Sequence, residues 1–210
     1  MDRRGFLRRV VGAAAGAGAA VMAAGAARAH VACQPFDAYG SQTCVAGLKS
    51  EVAGSFASAT GGQHMSQWCW AACIEMVFRH HGYVVPQARI VKETFGDRVN
   101  LPSSGWQILG NLNREWVDDR GRRFVARGDV MSSSPVTAAQ DLAADQPLIL
   151  GTQGHAMVLT AVEYRRDQGG NGQIVSAIVR DPWPGRGRRT LDPSEWYGVA
   201  FLARIRVAPA

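Results

Sequence analysis

From Trp68 onward the apolar residues recur at the helical period. Cys69, Ala72, Cys73, Met76 and Val77 share one face, and Gly82 follows as a C-cap. The pattern predicts a helix from Trp68 to about His81. Pro86 suits the first turn of a second helix, near Gln87 to Phe95, which Gly96 ends. Ser103 or Ser104 can cap a third, with Trp106, Leu109, Leu112 and Trp116 on one face. After Gly121 the period changes. Arg123 to Ala126 reads as a strand, and Ser134-Pro135 opens a short helix to about Ala144. Strands are then predicted over Leu148 to Leu150, Ala156 to Tyr164, Ile174 to Arg180 and Val199 to Val207, with Asp167 to Gly172 as a hairpin loop. The first two-thirds is read as largely helical, followed by a sheet. This implies an α+β domain, an N-terminal helical part packed against a C-terminal antiparallel β-sheet with a cleft between them.

Residues 1–29 read as an address. Asp2-Arg-Arg-Gly-Phe-Leu-Arg8 is a twin-arginine pattern, followed by a Gly/Ala-rich run and the small-x-small site Ala27-Arg28-Ala29, with cleavage expected after Ala29. The run is too short and too rich in glycine for a permanent membrane anchor. The expected destination is the periplasm or the exterior, by twin-arginine export, with no stable membrane association after the signal is removed. The whole chain carries 23 Lys+Arg against 17 Asp+Glu, but without the leader 18 face 16, so a nucleic-acid partner loses its support. The clusters Arg120 to Arg123 and Arg186 to Thr190 read as solvated loops. Residues 30–62, rich in Gly, Ala and Ser, read as a loosely structured lead-in, and residues 63–210 as one domain, expected to be monomeric. Four cysteines in an exported chain suggest disulfides, and Cys33 with Cys44 is the expected bridge.

The candidate chemistry centres on Gln63-His-Met-Ser-Gln-Trp-Cys-Trp-Ala-Ala-Cys73. Cys69 stands at a helix N-terminus, where unpaired N–H groups and the helix dipole favour a thiolate, the nucleophilic form of cysteine. Gln63, six residues earlier, is placed to aim an amide N–H at a developing oxyanion; Gln67 is its competitor. A base and a residue to orient it must come from elsewhere. His155 opens a buried strand after a Gly-Thr-Gln-Gly turn, and Asp181 closes another at the head of Asp-Pro-Trp-Pro-Gly185. Cys73, one turn from Cys69, reads as a small buried core residue. A zinc reading from Cys69, Cys73 and His80 or His81 lacks the separate knuckles of structural zinc sites, and no cofactor is expected.

Gln63, Cys69-Trp70, Gly154-His155 and Asp181-Pro-Trp183 together resemble the papain-like cysteine peptidases, nearest the short bacterial branches with a Trp-Cys-Trp-Ala-Ala core, of staphopain, avirulence-protease and C39-like type. The resemblance runs from about Gln63 to Val207. It implies Gln63 in the oxyanion hole, Cys69 as nucleophile, His155 as its partner, Asp181 as the orienting residue and Trp183 as its shield. The Gly-Ser-Cys lead-in of papain is absent, the cysteine-to-histidine interval is shorter, and an aspartate stands where papain has asparagine. The implied activity is hydrolysis of protein or peptide substrates. The same constellation also serves acyl transfer or deamidation, and a non-catalytic binding protein on such a scaffold is the other alternative.

Overall fold

The computed structural model describes residues 31–49, 62–130, 134–152 and 154–210. The expected twin-arginine leader, its expected cleavage site and part of the lead-in lie outside the described residues. Chain order is β1 (Ala32–Cys33), β2 (Ser41–Gly47), α1 (Cys69–His80), α2 (Gln87–Phe95), α3 (Gly105–Asn111), β3 (Glu115–Val117), β4 (Arg123–Val130), α4 (Pro135–Ala143), β5 (Leu148–Thr152), β6 (His155–Asp167), β7 (Gly172–Asp181), β8 (Gly187–Leu191), α5 (Pro193–Tyr197) and β9 (Val199–Pro209). The fold is α+β, and its strands form one antiparallel sheet. Among the described residues no helix is long and apolar enough to cross a membrane.

The sheet is organised around β6. Along one edge its first half pairs with β5 (Thr152 opposite His155) and its second half with β2 (Cys44 opposite Tyr164); β7 takes the other edge and carries β8. Strand β5 continues through β9 to β4 and β3. α1 packs on β6 and is buried on nearly every side: Trp70, Ala71, Ala72, Cys73, Ile74, Met76, Val77 and Phe78 are all core. One apolar face was expected; an all-round apolar helix is instead a central one. Cys69, Glu75, Arg79 and His80 are the residues of the helix that escape full burial. Arg79 pairs back onto Glu75 at the i,i+4 spacing. α2 runs as expected and ends on Gly96, whose φ of 83° is the left-handed C-cap conformation that glycine adopts without strain.

Four expectations need correction. The segment 30–62 is not wholly loose, because 41–47 form β2. Gln42, Cys44 and Ala46 alternate inward there, an inward set too polar and too small to read as a strand. The third helix ends at Asn111, where Asn113 Nδ2 takes the Leu109 carbonyl at 3.0 Å; the chain then enters β3, which carries Trp116. Trp106 is therefore not core but 83% exposed, whereas Trp116 and Trp196 are buried. The basic stretch at 186–190 contributes most of a strand, β8, rather than a solvated loop. The helical portion is also shorter than two-thirds of the chain, since β1 and β2 precede it and β3 and β4 follow α3. The expected bridge is present: Cys33 and Cys44 face each other across β1 and β2 and are joined.

Candidate active site

Cys69 is the first residue of α1, half-buried, with Trp68 and Trp70 turned into the core on either side of it. Their indole N–H groups donate to Val99 O at 2.9 Å and Leu101 O at 3.3 Å, which ties the helix start to the 99–101 loop. Asn100 adds two bonds, accepting Gln67 N–H at 2.9 Å and donating to Ser66 Oγ at 2.9 Å. Behind this loop Glu75 accepts the Gln87 N–H, and Gln87 accepts His64 N–H at 2.8 Å. The residues that present the thiol are thus held by partners from Glu75 to Leu101.

Facing Cys69, the turn after β5 passes through Gly154, whose φ of 78° favours a residue without Cβ, and delivers His155 at the head of β6. His155 Nε2 lies 2.7 Å from Asp181 Oδ1, so its other ring nitrogen is the one left for the Cys69 thiol, which lines the same recesses. Asp181, at the end of β7, has a side chain with 0% exposure. Its Oδ1 also accepts the Trp183 N–H at 2.9 Å. Trp183 stands edge-on to the imidazole, 6.2 Å between centroids at 79°, and remains 46% exposed.

The electrostatics follow from these contacts. Burial pushes the Cys69 thiol up, but the His155 hydrogen bond and charge, with the Ala156 and Trp70 N–H groups, outweigh it and leave the thiol below its ordinary value. Burial pulls His155 down, yet hydrogen bonds and charge from Asp181 and Cys69 raise it from 6.5 to about 9. Burial likewise opposes the Asp181 charge, and the bonds from His155, Trp183 N–H and Arg189 bring it down to about 2. These contacts favour the thiolate–imidazolium form of the Cys69–His155 pair, beside the Asp181 carboxylate. Cys73, fully buried, is driven well above the ordinary thiol range by burial and by the charges of Cys69 and Asp181, so it stays a protonated core residue.

Gln63 is buried, and its backbone N–H donates to Pro182 O, next to Asp181. Its Nε2 donates to Met65 O at 3.0 Å and Ser66 O at 2.9 Å, and its Oε1 has no partner among the described residues. Gln67 instead lines the cleft with Cys69. Two recesses meet at Cys69 and His155. One, of about 230 Å³, is apolar and walled by Trp70, Pro102, Ile108, Ala200 and Phe201. The other, of about 440 Å³, holds Trp183, Arg186, Arg189 and Glu195.

Sequence reasoning brought Cys69, His155 and Asp181 together and missed Arg189. Arg189 Nε donates to Asp181 Oδ2 at 2.9 Å, and its two terminal nitrogens donate to the two Glu195 oxygens, each at 2.9 Å. The signal available was a pair of acids, at 181 and 195, flanking an arginine in a basic cluster. The candidate zinc residues do not converge: His80 Nε2 turns to Asp145 O at 3.1 Å, away from Cys69.

Comparison with protein-family models and with curated protein sequences finds no match. Among solved structures, the chain is similar to the peptidase domain of Streptococcus ComA, a bi-functional ABC transporter involved in a quorum sensing pathway. The TM-score is 0.47 at 16% identity, and the match covers 71% of this chain and 97% of that domain.

Proposed function

We propose that this chain is an exported papain-like cysteine peptidase that hydrolyses peptide bonds in protein or peptide substrates. The observation that carries the reading is the grouping of Cys69, His155 and Asp181, in which a thiol at a helix N-terminus shares a cleft with an imidazole whose Nε2 sits 2.7 Å from a fully buried carboxylate. That arrangement favours a thiolate nucleophile and an imidazolium acid before substrate arrives.

Cys69 Sγ attacks the scissile carbonyl carbon, forming an S–C bond while the C=O electron pair moves onto oxygen. The Cys69 N–H, without a partner among the described residues, is one proposed donor to that oxyanion, and the amide of Gln63 is the second once it releases the carbonyl of Met65 or Ser66. Collapse breaks the C–N bond as His155 gives its proton to the leaving amine. A water then gives its proton to neutral His155 and attacks the thioester, and the thiolate leaves as the acid product forms.

The test is the intact mass of the purified mature protein after incubation with the epoxide E-64, for wild type and Cys69→Ala, followed by hydrolysis of a mixed peptide pool. One adduct on wild type, none on the variant, and Cys69-dependent cleavage are expected. An adduct that maps to Cys73, or an unreactive thiol under reducing conditions, would refute the assignment.

A further inference from the structure

A carboxylate orients an imidazole only if it is itself oriented. Asp181 could swing about its terminal torsion and offer either oxygen, yet both are committed. Oδ1 takes His155 Nε2 and Trp183 N–H, and Oδ2 takes Arg189 Nε at 2.9 Å. Arg189 is in turn held. Its side chain, 20% exposed, forms a bidentate fork with Glu195, and one of its terminal nitrogens also lies 3.1 Å from Met157 Sδ. Glu195 is fixed as well, because its Oε2 accepts Asp192 N–H at 3.0 Å in the capping box that starts α5. A chain of directed contacts therefore runs from a helix cap to the imidazole.

The other groups around Asp181 do not replace this anchor. From β6 comes His155, from the turn before β8 comes Arg186 at 3.7 Å with a 58% exposed side chain, and from α1 comes the protonated Cys73. Besides Arg189, the charge that acts on Glu195 is that of Asp192. Arg189 and Glu195 together are neutral, so the pair can fix a direction without changing the net charge of the site.

We propose that Arg189, forked onto Glu195, is a positioning residue: it anchors Asp181 Oδ2 so that Oδ1 stays on His155. The role rests on the cysteine peptidase reading and extends it by one residue that acts through another. It also explains an aspartate at this place, since an amide cannot accept from His155 and Trp183 on one side and from Arg189 on the other.

The experiment measures the pH dependence of Cys69 alkylation by iodoacetamide in the full chain, together with thermal unfolding. The charge-conserving double variant Arg189→Gln/Glu195→Gln is compared with wild type, each also in an Asp181→Ala background, and Arg189→Lys is the second variant. In wild type the rate should hold to about pH 9, where His155 loses its proton. The double variant should lower that limb by about one pH unit, a tenfold change in proton affinity. Arg189→Lys, which keeps the charge but cannot fork onto both acids, should fall between. In the Asp181→Ala background the double substitution should shift nothing further. A limb that stays at the wild-type pH in a folded double variant overturns the proposal, as does an equal shift with and without Asp181. A wild-type thiol that reacts no faster than Cys in a peptide overturns the peptidase reading itself, and this role with it.

Discussion

Replacing Asp181 by asparagine should be far from conservative here. His155 is raised from 6.5 to about 9 against burial, by Asp181 first and by Cys69 second, and that gap corresponds to about 3 kcal/mol in favour of the imidazolium. Removing the Asp181 charge should forfeit roughly half of it, about 1–2 kcal/mol, and move the alkaline limb of thiol alkylation down by about one pH unit. The sign follows from the direction of the shift. A raised histidine keeps its proton, and the ion pair its stability, below the ordinary value, and loses both as pH climbs through about 9. There is also a steric-free penalty. With Oδ1 facing the His155 and Trp183 donors and Oδ2 facing Arg189 Nε, either orientation of an amide points its NH₂ at a donor. An unsatisfied buried donor costs about 1–3 kcal/mol, and at this chain length roughly 2–4 °C of melting temperature per kcal/mol. The assays are iodoacetamide kinetics from pH 5 to 10 and thermal melts at pH 7 and pH 2.5. Because the Asp181 carboxyl is lowered to about 2, its stabilising charge is present above the ordinary carboxyl range and fades as pH falls toward 2. The melting difference should therefore shrink in acid. An alkaline limb that stays near 9, or equal melting temperatures at pH 7, would refute the reasoning.

Gln63→Ala should cut peptide turnover by about 10²–10³ with little change in thiol alkylation, the behaviour of an oxyanion donor; a larger loss from Gln67→Ala would move that role to the glutamine lining the cleft. Reducing the bond between Cys33 and Cys44 should lower the melting temperature, by an amount corresponding to about 2–3 kcal/mol, without slowing Cys69 alkylation. Cys44 pairs with Tyr164, nine residues along β6 from His155 and so about 30 Å away, and an alkylation rate that falls with reduction would show the two ends to be coupled. Gly105→Ala should narrow the apolar recess, since a Cβ there meets the Phe201 ring at 2.9 Å; KM for peptides should rise while E-64 still labels, and unchanged kinetics would mean that substrate does not use this recess.

What could be read from the chain was whatever is written locally. The helix beginning at Cys69, the glycine before His155 and the proline after Asp181 each punctuate their own neighbourhood, and the three side chains meet because two strand ends face one helix end. Arg189 was illegible for the opposite reason. Its partners lie eight residues before it and six after, and only the pairing of β7 with β8, with Asp181 opposite Gly187 and Val179 opposite Arg189, brings them together. A run of three arginines among glycines looks like a solvated loop until that register is known. β2 was hidden by its inward residues, since Gln42 and Ala46 give no apolar alternation to detect. Trp106 misled in the other direction: a tryptophan at helical spacing looks like core, and the short α3 turns it outward.

The two halves of the site are also joined directly. Gln63 N–H donates to Pro182 O at 2.7 Å, so the segment leading to Cys69 is bonded to the turn that follows Asp181. The same segment is held to α2 through Gln87, which accepts from His64 and donates to Gly62 O at 3.2 Å. A thiolate and an imidazolium brought together only by substrate would require reorganisation at each turnover, whereas groups fixed in advance cost none at the moment of reaction. Here the sulfur is fixed by a buried helix, the imidazole by Asp181, and Asp181 by a fork rooted in a helix cap. The bond from Gln63 to Pro182 ties the first of these supports to the last. Loss of any one should therefore appear in the protonation of the pair before it appears in the fold.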